Sequence, residues 1–509
     1  MKTNNSKHSG TQTLVTMMLC SAFLVVAPGS TVLGESLADR VVEHRLDNGM
    51  TFLLLQRPEA PVLSAHIRFR AGGVNEPMGK TGIAHLLEHM AFKGTRHLGT
   101  NNFRAEHRLL ERIEQLGERL TAEIALGAKG DPEKIAAMRE QLNQLHLEGD
   151  QYLVKEEIWD TYLQNGAQGL NASTSKDVTS YYVSLPSNRL ELWALIESQR
   201  MMESVMREFY RERDVVAEER RRGYEDRPDG KLYERFISAA FIAHPYGNPT
   251  IGWMSDIQTL TIRDAESFFN HYYVPSRAVA AIVGDIDIEK TVAIVEKYFG
   301  RIPSKPEPLE QITQEPEQGG EKRIVVEFDA EPQILIGFQK PTLPEFDDYV
   351  FDVIDGLLTR GRTSRLYTRL VKQDQVATRV YSFGAPGSIY PNLFVIGSAP
   401  RHPHTSEEVE KIVFEELGRM AQENVTEREL LKVKNQLKAD FLRDLRSNNG
   451  LADKLSYFEV VGAGWRYPIE WVDVIERVTP DDVRRVASQY FSRSNTTVAT
   501  LMRKVAAEN

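Results

Sequence analysis

Two histidines and a glutamate lie within five residues of one another, at His85, Glu88 and His89. In a helix, positions i, i+3 and i+4 share one face, so the three side chains would point the same way. Two imidazoles one turn apart can bind one zinc ion, and a glutamate beside the metal can take a proton from a water that the metal activates. The spacing therefore predicts metal-dependent hydrolysis of an amide bond. The alternative is an ordinary amphipathic helix that happens to carry histidines.

A catalytic zinc ion also needs a third protein ligand, which is commonly a carboxylate. Glu212 and Glu219 are seven residues apart, close to two helical turns, so both can lie on one face of a helix. One of them would bind the metal, and the other would accept a hydrogen bond from a ligating histidine. A charge-rich helix taken alone is more often a solvated face, so the spacing by itself leaves both interpretations open.

Length and composition limit the class of protein. The 509 residues are too many for one hydrophobic core and indicate at least two domains. Hydrophobic residues make up 41% of the chain and charged residues 26%, as is typical of globular proteins. The net charge of −10 argues against a nucleic-acid-binding surface, which needs a basic stripe.

The segment 1–34 is predicted to be a secretory signal peptide. Two lysines precede an apolar run at 14–27, small residues follow to Gly34, and the run is short for a membrane span of about 20 residues. The single cysteine, Cys20, lies in this run, so the exported chain would contain no disulfide, which favours a bacterial periplasm. An uncleaved membrane anchor at the N-terminus is the alternative, and no stable membrane span is expected in the mature chain.

The order of predicted elements indicates an α+β chain of two similar α/β domains, each a mixed sheet packed with helices. The predicted segments are an N-terminal catalytic domain at 35–302, a Pro- and Glu-rich linker at 303–321 and a homologous non-catalytic domain at 322–509. Within the first domain we predict strands at 50–55, 62–70 and 278–284, a helix from Thr81 as N-cap to Gly94, and a helix at 288–299. No second His-x-x-Glu-His occurs after the linker.

A helical hairpin is predicted as an insertion in the first domain, at 104–151. Apolar residues recur every three or four positions in two segments, which predicts two antiparallel helices with an apolar seam. The turn between them offers Asp131 as N-cap and Pro132 at the first helical position. The hairpin is interpreted either as a solvated decoration or as an arm that docks a partner or gates the site.

Several ordered motifs together resemble the pitrilysin/insulinase family of inverzincin metallopeptidases. The motifs are HLLEHMAFKGT at 85–95, NAST at 171–174, ERDVVAEE at 212–219, YYVP at 272–275 and GRTSRL at 361–366. The resemblance covers essentially the whole chain after residue 34, except the hairpin. It implies that His85, His89 and Glu219 bind one Zn²⁺, with Glu218 as the rival third ligand.

The resemblance further implies that Glu88 is the general base and that Glu212 supports a ligating histidine. Asn171 and Ala172 would contact the substrate on an edge strand, where an extended peptide can pair through its backbone. The implied function is a zinc-dependent endopeptidase that hydrolyses peptides or unfolded polypeptides. A non-catalytic or scaffold subunit of a peptidase complex is the alternative, and another divalent metal in the same ligands stays open.

One departure from the family pattern concerns the second domain. Active members often pair an arginine with a tyrosine seven residues later, and Val371 and Thr378 stand at those positions here. Nearby side chains that offer similar groups are Arg369, Lys372, Arg379 and Tyr381. The missing pair and the half-length chain predict a dimer, with a heterodimer of homologous subunits favoured over a homodimer.

Overall fold

The computed structural model describes residues 37–504, so the predicted signal peptide lies outside the described residues. The first half of this part of the chain forms a six-stranded sheet in the order β1-β2-β6-β3-β5-β4. Its strands are β1 Val42–Arg45, β2 Thr51–Gln56, β3 Val62–Phe69, β4 Gln168–Thr174, β5 Thr179–Pro186 and β6 Ala278–Gly284. Its helices are α1 Leu37–Arg40, α2 Ile83–Met90, α3 Phe103–Ala125, α4 Pro132–Gly149, α5 Glu157–Gln164, α6 Leu190–Glu203, α7 Phe209–Arg220, α8 Pro228–Ala240, α9 Met254–Ile257, α10 Ile262–Tyr272 and α11 Ile288–Phe299.

The second half forms a five-stranded sheet in the order β7-β11-β8-β10-β9. Its strands are β7 Lys322–Phe328, β8 Gln333–Lys340, β9 Ala377–Ala385, β10 Asn392–Pro400 and β11 Thr496–Arg503. Its helices are α12 Phe346–Leu358, α13 Ser406–Gln422, α14 Glu427–Asp444, α15 Asn448–Val460, α16 Tyr467–Arg477 and α17 Pro480–Tyr490.

The two halves repeat one topology. In each sheet the last strand of the half inserts between the first two strands of the repeat and pairs parallel with one of them and antiparallel with the other. β2, β6, β3, β5 and β4 thus correspond in order to β7, β11, β8, β10 and β9. The helices follow the same order, so that α2, α7 and α8 of the first half correspond to α12, α14 and α15 of the second. The prediction of two similar α/β domains with mixed sheets is confirmed.

Each half covers the sheet of the other half with one helix. α15 packs on β3 and β6 of the first sheet, and α8 packs on β7 and β11 of the second. Leu451 and Leu455 of α15 join a cluster with Leu53 and Ala281, whose neighbours in the strands face the opposite side and belong to the core of the first half. Because both faces of the sheet are covered, β6 is buried along its whole length.

The predicted hairpin is formed by α3 and α4. The Asp131 carboxylate accepts hydrogen bonds from the backbone N–H groups of Glu133 and Lys134, and Pro132 begins α4, as predicted. The hairpin is not a solvated decoration, because the seam of α3 is buried and packs into the core of the first half. The segment 303–321 contains no helix or strand, and its role as a linker between domains stays a prediction.

The helix that carries His85, Glu88 and His89 was predicted too long at both ends. α2 begins at Ile83, and its N-cap is Gly82 at a φ of 91°, whereas the Thr81 hydroxyl donates instead to Asp256. A side chain at residue 82 would clash with the carbonyl of Ile251, so only glycine fits this left-handed position. After Met90 the chain continues in tight turns to Gly94 rather than in an α-helix. Among residues 37–504, no helix is long and apolar enough to cross a membrane.

Candidate metal centre

The side chains of His85, Glu88 and His89 on α2 are surrounded by this helix, by α7 and by β4. The apolar side of this helix is buried in the core of the first half, and its other side contacts α7 and the edge strand β4. The side chains of His85, Glu88 and His89 therefore lie between these elements and are only partly buried. The 3.6-residue period that the sequence suggested is thus realised as one polar face of a short helix.

Glu219 of α7 faces both histidines. Its Oε2 lies 3.8 Å from Nε2 of His85 and 3.6 Å from Nε2 of His89. Within residues 37–504 these three residues are the only group of histidine, cysteine and acidic side chains whose ligand atoms all lie within 4.8 Å of one another. The structure therefore brings together the two histidines and the glutamate for which the sequence predicted a metal site.

His89 is oriented by a buried carboxylate. Oε1 of Glu212 lies 2.8 Å from Nδ1 of His89, and Oε2 of Glu212 lies 2.6 Å from Nζ of Lys93. Burial favours the neutral form of Glu212, but these two partners outweigh it and lower the pKa of the carboxyl to about 2. Because Glu212 is an acceptor only, Nδ1 of His89 carries a proton and donates it, which is the usual support for a metal-binding imidazole.

The donor set fits a divalent cation. In its neutral form, with the single proton on Nδ1, His89 presents a lone pair at Nε2, and this atom faces the Glu219 carboxylate oxygen at a distance too long for a hydrogen bond. Burial lowers the pKa of His85 to about 3, so this imidazole is neutral at pH 7. Two imidazole lone pairs and a carboxylate that converge without a donor between them are the ligand types that zinc prefers.

Glu88 lies beside the cluster and is held by the edge strand. Oγ1 of Thr174 donates to Oε2 of Glu88 at 2.6 Å. Burial raises the pKa of Glu88, and the hydrogen bond from Thr174 opposes this shift. Sequence reasoning assigned no role to Thr174, although it ends the NAST motif on β4. Its contact with Glu88 depends on how β4 packs against α2, which the residue order does not specify.

The neighbouring Glu218 does not join the cluster. Its carboxylate pairs with Arg221 and with Nε of Arg222, the latter at 2.8 Å, on the exposed side of α7. Successive residues of a helix point about 100° apart, so only one of two adjacent glutamates can face α2.

The two predicted substrate contacts lie on the edge of the first sheet. Asn171 is exposed and Ala172 is buried, and the Ala172 N–H donates to Oδ1 of Asn171 at 2.9 Å. Asn171 lines a cavity of about 590 Å³ together with Glu88, His89 and Trp159. The cavity and the edge strand therefore meet at Glu88.

The side chains near the missing arginine and tyrosine are partly engaged elsewhere. The guanidinium of Arg369 pairs with Glu415, Glu416 and Asp374 within its own half. Arg379 lies over the ring of Tyr381 on the edge strand β9. Arg369 is therefore not free to replace the missing arginine.

Comparison with protein families places this geometry in a known context. Residues 51–127 match the model described as "Insulinase (Peptidase family M16)", and residues 259–437 match "Peptidase M16 inactive domain". The two matches together span about half of the chain. The chain belongs to peptidase family M16. The first match contains the helix with His85, Glu88 and His89, and the second covers most of the half that lacks this motif.

Members of family M16 match nearly the whole chain. "Zinc protease PqqE" from Helicobacter pylori is 27% identical over 495 residues, which cover 94% of this chain and 97% of that protein. "The crystal structure of a protease from Helicobacter pylori" has 26% identity and a TM-score of 0.76, and the match covers 91% of this chain and 99% of that one. The structure of "the periplasmic protease PqqL" from Escherichia coli shares the fold at 15% identity and a TM-score of 0.69, and the match covers 91% of this chain but 48% of PqqL.

Proposed function

We propose that this chain is a zinc-dependent endopeptidase that hydrolyses peptides or unfolded polypeptides. One observation carries the proposal, namely the convergence of His85, His89 and Glu219 with Glu88 beside them. His85, His89 and Glu219 would hold one zinc ion. A bound zinc ion would polarise the scissile carbonyl and lower the pKa of an attached water to about 7.

The residues of the chain then divide the remaining work. Glu88 takes the proton of the attacking water and passes it to the leaving amine, as a general base followed by a general acid. Thr174 fixes one oxygen of Glu88, which leaves the other oxygen to act on the water. Glu212, itself held by Lys93, keeps the proton of His89 on Nδ1 and its Nε2 toward the ligand position.

Substrate binding is proposed at the edge strand. β4 is the last strand of its sheet, so its outer backbone groups can pair with an extended peptide. Asn171 and Ala172 are proposed substrate contacts there, because Asn171 lines the cavity that also contains Glu88. Backbone pairing demands an extended chain, so unfolded polypeptides are the expected substrates.

We further propose that the active enzyme is a dimer, with a homologous heterodimer favoured over a homodimer. The support is the absence of the arginine and tyrosine at Val371 and Thr378 and the internal pairing of Arg369. PqqL is about twice as long as the region of it that this chain matches. Export to the periplasm through a signal peptide at 1–34 is proposed from the sequence, and the similar PqqL of Escherichia coli is described as a periplasmic protease.

The deciding experiment measures cleavage of a quenched unstructured peptide and bound zinc in the same samples. We expect Glu88→Gln to retain zinc and to lose activity by a factor of about 10²–10⁴, the usual contribution of a general base. Glu218→Gln, on the exposed side of α7, is the matched control and should keep both zinc and activity. Each chain is assayed alone and with any co-encoded homologous subunit.

Four outcomes are distinguishable. Activity of wild type that appears only with the homologue supports the heterodimer, whereas full activity of the lone chain at low concentration contradicts it. Zinc bound without activity under every pairing would replace the proposal by a scaffold subunit. Activity of Glu88→Gln equal to wild type would overturn the assignment of the base.

A further inference from the structure

The second half contains a cavity of about 550 Å³ at the position that corresponds to the metal site. The metal site is bounded by α2, β4 and α7, and this cavity is lined from their counterparts α12, β9 and α14. It lies in the half that matches the inactive family domain, and no step of the proposed hydrolysis uses it. The topology therefore retains a recess here whose lining differs from that of the first half.

The lining is acidic. Five aspartates and three basic residues contribute to the wall, and no histidine or cysteine does. Two basic side chains are already engaged, since Lys340 pairs with Asp348 and Arg360 pairs with Asp440 at 3.0 Å. The ammonium of Lys454 lies 3.8 Å from Asp453, which is outside the wall.

Two aspartates of the wall are left without a cationic partner. Asp352 of α12 accepts a hydrogen bond from Nε1 of Trp471 at 2.9 Å, and no basic side chain pairs with it in residues 37–504. Asp444, at the end of α14, is exposed and has no ion-pair partner in the same described range. One aspartate without a cationic partner thus stands at the inner wall and another at the rim.

An independent observation indicates a donor ligand. Asn392, which is 5% exposed, lines the same cavity, and its Oδ1 has no hydrogen-bond partner in the described part of the chain. Its amide nitrogen is satisfied, because Nδ2 donates to the carbonyl of Gly387 at 2.6 Å. A buried acceptor without a donor costs free energy, so this oxygen is suited to an N–H group supplied from outside.

The shape and lining favour an organic cation over a metal ion. The acidic groups here do not converge as metal ligands do, since the described residues contain a single such cluster, the one at His85. Eight aromatic residues line the cavity, among them Phe441 and Trp471, whose rings stack at 4.7 Å. Carboxylates combined with aromatic faces are the surroundings that bind ammonium and guanidinium groups.

We propose that this cavity binds an organic cation, an ammonium or guanidinium group, carried by a peptide side chain or by a free small amine. Asp352 and Oδ1 of Asn392 accept its N–H groups, and Asp444 attracts it at the rim. The proposed cation site rests on the lining of this cavity and does not depend on the proposed peptidase activity. Only the peptide as its source rests on the proposed function, in which case the second half selects substrates with a basic residue.

The test is a calorimetric titration of the full chain, freed of metal by a chelator, with Nα-acetyl-argininamide and with its neutral isostere Nα-acetyl-citrullinamide, called argininamide and citrullinamide below. We expect argininamide to bind and citrullinamide not to bind. Asp352→Asn should lower the affinity for argininamide by about tenfold or more, since a hydrogen bond to a charged group contributes about that factor to binding. Asp444→Asn should weaken it less, because its charge is exposed. Asp473→Asn, an exposed aspartate of α16 outside the cavity, is the matched control and should bind like wild type.

A second arm distinguishes the sources of the cation. An unstructured peptide with one arginine is compared with the same peptide carrying citrulline. Binding of the arginine peptide that is lost in Asp352→Asn assigns a peptide side chain, and binding of argininamide alone assigns a free amine. Equal binding of charged and neutral probes, or full affinity in both Asp352→Asn and Asp444→Asn, would overturn the proposal. Because no metal or turnover is involved, this result is independent of the Glu88→Gln assay.

Discussion

Two adjacent glutamates on α7 have opposite surroundings. Glu219 faces the histidines of α2, and Glu218 is held on the outer face by Arg221 and Arg222. The two residues therefore form a pair of variants that remove the same charge from the same helix at two different places.

We expect Glu219→Gln to lose bound zinc and Glu218→Gln to keep it. A ligand contributes directly to the metal, and even loss of a group that supports a ligand lowers metal affinity by about 10–100-fold. Zinc content after dialysis against a competing chelator measures the effect. If Glu218→Gln loses as much zinc as Glu219→Gln, the assignment of the third ligand is wrong.

Asp352, which has a hydrogen-bond donor in Trp471 but no basic partner among the described residues, predicts a pH dependence of stability. Burial, followed by the negative charges of Asp348 and Asp355, raises the pKa of Asp352 to about 7 against the attraction of Lys340. Between pH ~4, the ordinary pKa of aspartate, and pH ~7 the folded chain binds a proton that the unfolded chain releases. This residue therefore lowers the free energy of unfolding as the pH rises through that window.

Asp352→Asn removes this titration and keeps an acceptor for Trp471. We expect the variant to be more stable than wild type at pH 8, by roughly 1–3 kcal/mol, and equal to it at pH ~3.5, below the ordinary pKa of aspartate. Thermal unfolding at both pH values measures the difference, with Asp473→Asn as the control for a change of net charge. A variant that is less stable than wild type at pH 8 would contradict the conclusion that ionisation of the buried Asp352 destabilises the folded chain.

At the scale of elements, the hairpin supports the helix that carries Glu219. Gly117 of α3 lies so close to the ring of Tyr210 on α7 that an added Cβ would meet it at about 2.0 Å. A buried ion pair between Glu106 and Arg207, at 2.5 Å, anchors the start of α3 to the segment before α7. The insertion is thus part of the frame of the metal site.

Gly117→Ala should therefore destabilise the chain, although alanine is intrinsically better in a helix by about 1 kcal/mol. Overpacking against Tyr210 costs about 1–3 kcal/mol and would displace α7, so zinc affinity should fall as well. Gly418→Ala, inside α13 with open space around it, is the matched control and should stabilise. Equal gains in melting temperature for both variants would show that α3 does not constrain α7.

Local signals in the sequence predicted several elements closely. β6 and α11 have the predicted bounds, because an apolar run and an amphipathic segment with Asp287 as N-cap are complete within a few residues. Asp131 and Pro132 likewise marked the start of α4. The start of α2 was missed because the left-handed Gly82 is required by the carbonyl of Ile251, a residue far away in sequence.

The candidate site was predictable only in part. Helical spacing placed His85, Glu88 and His89 on one face, but the choice of Glu219 over Glu218 needed the family resemblance. The contacts from Thr174 and Lys93 were not predicted, since they depend on how β4 and α7 pack against α2. Spacing specifies a face of an element, and tertiary packing decides what that face meets.

At the scale of the whole molecule, the exchange of α8 and α15 joins the halves. The sequence did not predict this exchange, because an apolar face of a helix does not specify which sheet it covers. Leu451, Leu455 and Val460 of α15 are buried with strands of the first half. Their burial contributes roughly 5–9 kcal/mol, which is comparable with the total stability of 5–15 kcal/mol for a typical domain.

We therefore expect the fragment 35–302 not to fold by itself. Produced alone, it should bind a hydrophobic dye and unfold without a cooperative transition, because the face of its sheet that α15 covers is exposed. Production together with 303–509 is the control and should give a compact complex of both fragments. A cooperative thermal transition of the lone fragment, without dye binding, would contradict this dependence.

The exchanged helices also bear on how the two repeats can change over evolutionary time. A repeat that only carried a second catalytic site could be deleted once that site was lost. Here the repeat without the metal motif supplies α15, which covers one face of the sheet in the repeat that carries the motif. Deletion of the second repeat would therefore expose that face. Substitutions that remove reactive side chains from the cavity of the second repeat leave the packing of α15 on the first sheet intact. The second repeat can thus acquire a new ligand while its helix α15 remains necessary for the fold of the first repeat.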